Sequence, residues 1–266
     1  MNNGIIEIGY YQLAIAYIFI IIILFLMKRR HISREKELFI ATVRMTAQLI
    51  LVGYILAYIL NNPHPLISLG VILLMVTFAI YTVFSKFKGQ LSRPLKHVIA
   101  FALFAGTLPV LMFFTWAVIG IEPYYNPQYL IPLTGMIIGN SMTGISLGIK
   151  TLVEGFTTQK DEVVEALILG ASAKEASNNI INSAFDSAIM PTINSMLGMG
   201  IIFLPGMMTG QILSGVDPRL SVLYQIAIML GILGGVSLTT YIALIVGYKT
   251  YFNHQVQLID FSYLDE

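Results

Sequence analysis

Long apolar runs separated by short polar connectors set the pattern of this chain. Runs at roughly 8–27, 38–60, 66–85, 98–121, 129–149, 192–214 and 221–247 each hold about twenty mostly apolar residues, enough to cross a bilayer as helix. The pattern predicts an all-α, polytopic membrane protein with about seven transmembrane helices. A single transmembrane domain over 1–266 accounts for the chain, because no polar stretch is large enough to hold a core of its own.

Between the fifth and sixth runs, over 151–190, the period changes to that of amphipathic helices. Thr158 and Asp161 have the spacing of a capping box that would start a first helix. Val163, Val164, Leu167 and Ile168 then form one apolar stripe, with Asp161, Glu162 and Glu165 opposite. Gly170 supplies a C-terminal residue able to take positive φ. Ser172 and Glu175 make a second capping box, and Ala173, Ala176, Ile180, Ala184 and Ala188 follow at helical spacing. Pro191 marks the end of this second helix, or a bend into the next span. The polar faces are not rich in Lys/Arg, as those of helices lying on a membrane surface usually are. The small residues at the Gly170–Ser172 corner suit docking against protein.

Charge gives the chain an orientation. Lys28, Arg29, Arg30, Arg34 and Lys36 fall in the first connector, and Lys86, Lys88, Arg93 and Lys96 in the third. Lys150, Lys160 and Lys174 lie in the segment before the sixth run, and Lys249 in the tail. The opposite connectors hold only Arg219, and Arg44 sits inside a run. This asymmetry predicts an N-terminus outside, a C-terminus in the cytoplasm and the 151–190 helix pair on the cytoplasmic face. Tyr10, Tyr11, Tyr124, Tyr125 and Tyr129 fall at outer ends, where aromatic rings anchor. The opening residues lack the basic region and cleavage pattern of a signal peptide, so the first run is expected to be a retained span.

Composition agrees. The chain is 56% hydrophobic and 11% charged, against about a quarter charged in soluble domains. A net charge of +1 gives no field for nucleic acid, and the absence of cysteine excludes disulfides and thiolate metal sites. No phosphate-binding loop of the G-x-x-x-x-G-K-[ST] type occurs, so ATP would have to be bound by another chain.

Several residues inside the runs are candidates for a transport path or for helix packing. Gly135, Gly139, Gly144 and Gly148 repeat along the fifth run, and Gly206 and Gly210 along the sixth; such spacing lets helices approach closely. Asn140, Ser141 and Thr143 are polar within the membrane and should face protein or a water-filled cavity. Pro205 would act as a hinge or a fixed kink. Arg44 and Gln48 share one face of the second run, with Arg44 free to snorkel or to pair with Asp186 or Glu154. Met207 and Met208, with Met136, Met142, Met196 and Met199, could serve a soft ion but fit equally as core filler. His31, His64, His97 and His254 form no ligand-spaced pair, so no metal site is readable. None of the fourteen Asp/Glu falls at mid-membrane, which argues against a stand-alone proton-coupled transporter.

The stretch "EALILGASAKEAS" resembles the cytoplasmic coupling loop of ABC-transporter permeases, with Glu165, Ala166, Gly170, Ala171 and Ser172 matching. Glu165 stands one residue closer to the glycine than in many importers, and Ser183 replaces the proline found after that loop. A wider resemblance covers nearly the whole chain. The blocks "RMTAQLILVGYIL", "IPLTGMIIGNSM", "LGASAKEAS" and "LPGMMTGQILSGVDPRLSVLYQI" resemble the bacterial iron-export ABC permease family and related plant aluminium-tolerance membrane subunits. That resemblance implies the membrane half of an exporter in the cell membrane, paired with a second copy of itself. It implies a separate cytoplasmic ATPase that binds ATP and Mg²⁺, leaving this chain with no cofactor. Glu165, Ala166, Gly170, Ala171, Ser172 and Lys174 would dock on that ATPase. The cargo would be a metal such as iron, or a non-metal such as a nucleotide sugar.

Overall fold

The starts of the long helices follow directly from local chemistry. The computed structural model describes residues 8–259 except 88, 90 and 254. Helix α1 (Tyr10–Ala16) runs on at Tyr17 into α2 (Ile18–Arg29), and α3 (Glu35–Asn61) returns. Helices α4 (Pro65–Lys86), α5 (Arg93–Phe113) and α6 (Pro127–Thr158) follow. Each of these three opens with a proline in its first two positions and a side chain capping a free N–H. His64 Nδ1 accepts from the Leu66 N–H, Ser92 Oγ from Leu95, and Asn126 Oδ1 from Gln128. Proline costs nothing there, because that N–H has no helical partner. The last long helix, α11 (Pro218–Gly247), repeats the device with Asp217. Between α6 and α11 lie α7 (Lys160–Ile168), α8 (Ala173–Ala176), α9 (Asn178–Gly198) and α10 (Gly206–Leu213).

Helix α6 is the hub, packed by α4, α5, α9 and α11. Contacts fix the directions. Ser68 and Tyr125 meet at one end of the α4–α6 pair, and Lys86 and Ser146 towards the other, so these two helices run parallel. Gly144 lies against Ala188 and Gly155 against Ile180, so α9 runs antiparallel to α6. Gly106 meets Thr239 while Gly247 meets Leu95, which makes α5 and α11 antiparallel. One end of the bundle therefore gathers Lys86, Arg93, Lys96, Lys150, Lys160, Lys174 and Lys249. The loop after α2 joins them, since α3 ends beside the start of α4 and is about 40 Å long at 1.5 Å per residue. Lys88 and His254 lie outside the described residues.

Two large apolar cores fill the bundle, with a small third cluster of Val76, Ala79 and Ile138 between α4 and α6. Val83, Ile99, Leu103, Ile149, Leu152 and Leu244 form one towards the basic end, closed by Phe156 stacked on Tyr251 with ring centroids 4.1 Å apart. Leu133, Ile137, Ile228 and Ile232 belong to the second, towards the opposite end. The chain nonetheless exposes 17500 Å², against about 11,500 Å² for a soluble monomer of 29.5 kDa. The excess includes long apolar side chains on α2, α3 and α4, which is the signature of a lipid-facing surface.

Six helical stretches, not seven, are long and apolar enough to cross a membrane among the described residues. The expected sixth span, 192–214, is broken. Helix α9 begins at Asn178, passes through Pro191 without ending and stops at Gly198. A turn follows at Gly200 (φ 83°), where Met199 and Phe203 form an isolated bridge, and α10 begins only after Pro205. The apolar run is real, but two glycines and a proline divide it. The fifth span is longer than expected, because α6 continues to Thr158.

Candidate functional site

Beyond the end of α6, the chain turns through α7 and α8 before re-entering the bundle as α9. The first capping box expected here does not form. Thr158 ends α6, its hydroxyl donating to the Glu154 carbonyl at 2.9 Å, and Gln159 takes the N-cap of α7 with no side-chain bond. A Thr inside a helix satisfies its hydroxyl on the preceding turn, which removes it as a cap. Val163 is buried in the basic-end core and Leu167 packs against it, whereas Ile168 points away from the bundle.

Helix α7 closes with a Schellman motif. Gly170 takes φ 93°, its N–H donates to the Leu167 carbonyl at 3.0 Å, and the Ala171 N–H donates to Ala166 at 3.0 Å. The second capping box forms as expected. The Ser172 N–H and hydroxyl both donate to Glu175 Oε2, at 2.8 and 2.7 Å, and the Glu175 N–H donates to Ser172 Oγ at 3.3 Å. The Ser172 hydroxyl, and then its N–H, hold the Glu175 carboxyl below the usual carboxylate range.

A lowered folded-state pKa means that this contribution is present above the ordinary value of about 4.3 and is lost as pH falls through the lowered one. The corner should therefore be insensitive to pH near neutrality. Glu175→Ala is expected to raise deuterium uptake over 172–176, and Glu175→Gln, which keeps an acceptor oxygen, to raise it less.

The corner projects Ile168 and Leu169, which are 78% and 87% exposed. Glu165, Gly170, Ser172 and Lys174 are exposed around them, and Ala166 and Ala171 half-buried. A groove of ≈ 750 Å³ separates this corner from residues 255–258. That wall was not anticipated. Its signal is Asn253, whose Oδ1 accepts from the Gln255 and Gln257 N–H groups and folds the tail back. Helix α9 returns from the corner with Ile180, Ala184 and Ala188 buried against Gly144, Gly148 and Gly155 of α6, a close small-residue contact.

Within the bundle the candidate residues divide. Gly144 and Gly148 are close-packed; Gly135 lies near Met75, and Gly139, Gly206 and Gly210 have nothing within 4 Å of a notional Cβ. Ser141 is fully buried between α6 and α11, with Gly235 beside its hydroxyl. Asn140 and Thr143 are exposed on the far side of α6. Pro205 neither hinges nor kinks a continuous helix, since it is the N-cap of α10. Met208 is buried and Met207 packs in the second core with Met136 and Met199, as filler does.

Arg44 and Gln48 share an exposed groove on α3, and the Arg44 guanidinium lies 5.2 Å from the Phe78 ring centroid. Among the described residues neither expected ion partner pairs with it: Glu154 pairs with Lys150 at 3.6 Å, and Asp186 is exposed on α9. Among the described residues no group of three His, Cys, Asp or Glu could hold a metal ion.

A family model described as an uncharacterised protein family, UPF0014, matches residues 10–252. The chain is 33% identical over 249 residues to the UPF0014 membrane protein YjkA of Bacillus subtilis (strain 168), covering 94% of this chain and 98% of that one. It is 30% identical over 249 residues to the Probable iron export permease protein FetB of Escherichia coli (strain K12), covering 93% and 94%. It is 28% identical over 253 residues to the Protein ALUMINUM SENSITIVE 3 of Arabidopsis thaliana, covering 94% and 90%. No solved structure matches it.

Proposed function

The chain belongs to the UPF0014 family of multi-pass membrane proteins, and from that membership we propose that it is the permease subunit of an ATP-driven exporter. It works as a pair of copies driven by a separate cytoplasmic ATPase that binds ATP and Mg²⁺. The observation that carries this reading is the corner at Gly170–Ser172. It is a rigid, doubly capped turn outside the apolar zone, at the basic end of the bundle. Two large apolar side chains stand on it, largely exposed among the described residues.

In this reading the basic end faces the cytoplasm, and the corner seats in the ATPase with Ile168 and Leu169 as anchors. Glu165, Ala166, Gly170, Ala171, Ser172 and Lys174 frame them. Helix α9 transmits the movement, because its small-residue contact with α6 leaves no slack between the corner and the membrane helices.

The cargo is a metal, as the name of the Escherichia coli relative suggests for that protein. It leaves as a hydrated, chelated or transiently bound species.

The test is affinity purification of the full chain from membranes co-expressing the candidate ATPase, followed by ATP hydrolysis. The expected result is stoichiometric recovery of the ATPase and stimulated turnover. Undiminished transport in cells lacking the ATPase would overturn the reading. Ile168→Asp with Leu169→Asp is expected to abolish recovery of the ATPase without altering the elution profile of the chain, since neither side chain packs in a core.

A further inference from the structure

Helix α6 is enclosed by neighbours on most of its surface, yet one stripe along it is uncovered. Asn140, Thr143, Lys150, Glu154 and Thr157 are exposed there, with Leu147 partly covered between them. Steps of three or four residues keep these positions on one face. Asn140 and Thr143 lie in the membrane-crossing part of the helix. Asn140 Nδ2 donates to the carbonyl of Met136 at 2.7 Å, and the Thr143 hydroxyl to that of Gly139 at 3.1 Å. The Asn140 carboxamide keeps further donor and acceptor capacity, and leaving it in hydrocarbon is expensive. Polar groups at that depth face protein or water. Nearer the basic end, Lys150 and Glu154 are 63% and 61% exposed and pair with each other at 3.6 Å.

We infer that this stripe is the surface on which two copies of the chain meet, α6 against α6. The inference rests on the reading above that the exporter contains a pair. A two-fold axis along the membrane normal sets the same heights of the two helices side by side. Each residue then meets its own counterpart and those one turn away. The Asn140 carboxamide, which both donates and accepts, satisfies itself across such a seam. Lys150 of each copy stands beside Lys150 and one turn from Glu154 of the other, so the two carboxylates offset the two ammonium groups. Uncovered polar rows elsewhere, Glu37, Arg44 and Gln48 on α3 and Asn179, Asn182 and Asp186 on α9, lack that balance: the same axis would set Arg44 against Arg44, or Asp186 against Asp186, with no opposite charge one turn away.

The full chain contains no cysteine, so single cysteines report proximity without further editing. Thr143→Cys and Leu147→Cys, oxidised in native membranes, are expected to shift most of the chain from its 29.5 kDa band to twice that mass. Leu74→Cys and Phe101→Cys, on exposed faces of α4 and α5, are expected not to shift it. Chains carrying Lys150→Glu and chains carrying Glu154→Lys, each with Leu147→Cys and a different tag, should cross-link to one another in preference to themselves. A pair held only by contacts within each chain would show no such preference.

Equal cross-linking at all positions, or no preference in the mixed experiment, would overturn the inference. So would a particle of dimeric mass that cross-links only through Gln48→Cys, but that outcome leaves the exporter reading standing. A chain that is monomeric and recovers no ATPase removes both.

Discussion

Gly170→Val is expected to abolish recovery of the ATPase and ATP-driven transport, while the chain still inserts in the membrane and elutes as the wild type does. The reason is local. Gly170 holds φ 93° with nothing within 4 Å of a notional Cβ, so a side chain there meets no neighbour and disturbs no packing. What it meets is its own backbone. A residue with a Cβ at positive φ is strained by about 1–3 kcal/mol, and β-branching is the worst case. That strain is enough to open the Schellman turn and its two hydrogen bonds, which position Ile168 and Leu169. The basic-end core beneath, anchored by Val163 and Ile180, does not depend on the turn. Gly170→Asn separates conformation from bulk, since asparagine tolerates the left-handed region, and should keep most of the association. Copurification from membranes, with elution profile as the control, reads both variants. Wild-type recovery and transport by Gly170→Val would remove the coupling role from this corner.

That corner was legible in the sequence because its determinants are contiguous. Ser172 and Glu175 stand three apart and need only each other, and a glycine after an apolar stripe is a helix end wherever it occurs. The same rule misled at Thr158 and Asp161, because Thr158 is still part of α6 and its hydroxyl is already bonded to the Glu154 carbonyl. Hydropathy located the long spans for a similar reason, as each is apolar over its own length. It could not tell a crossing helix from the broken 192–214 run, whose composition is the same and whose interruption comes from Gly198, Gly200 and Pro205 acting together. The glycines of α6 show the limit most plainly. Gly139 and Gly144 sit in one repeat, but Val236 and Ala188 lie against the second and nothing lies against the first. Which neighbour faces a residue is decided by helices far away in sequence, and no spacing within the run encodes it. The tail folding back at 255–258 was missed although its determinant, Asn253, is local.

Gly106→Ala is expected to cause the largest loss of stability of any single methyl added to this chain. A Cβ on Gly106 would lie 2.5 Å from Thr239 Oγ1, 2.6 Å from Thr239 Cα and 2.7 Å from Thr239 N. Two of those atoms are backbone of α11, so no rotamer change relieves the contact; α5 and α11 must separate. Adding atoms to a packed core costs about 1–3 kcal/mol when side chains can shift, and here they cannot, which puts the cost at the top of that range or above. Gly144→Ala should cost less, because the nearest atom, Val236 Cγ1 at 2.7 Å, belongs to a side chain, although the Ala188 carbonyl stands at 3.2 Å. Gly155→Ala should be milder still, since only the Ile180 side chain opposes it. Gly70→Ala meets nothing within 4 Å and should be neutral or slightly stabilising, as alanine is the better helix former. The temperature at which the monodisperse peak is lost in detergent ranks the four. The order Gly106, Gly144, Gly155, Gly70, from most to least damaged, tests the α5–α11 and α6–α9 contacts through which movement at the corner must pass. Should Gly106→Ala melt with the wild type, α5 and α11 do not touch where the packing places them.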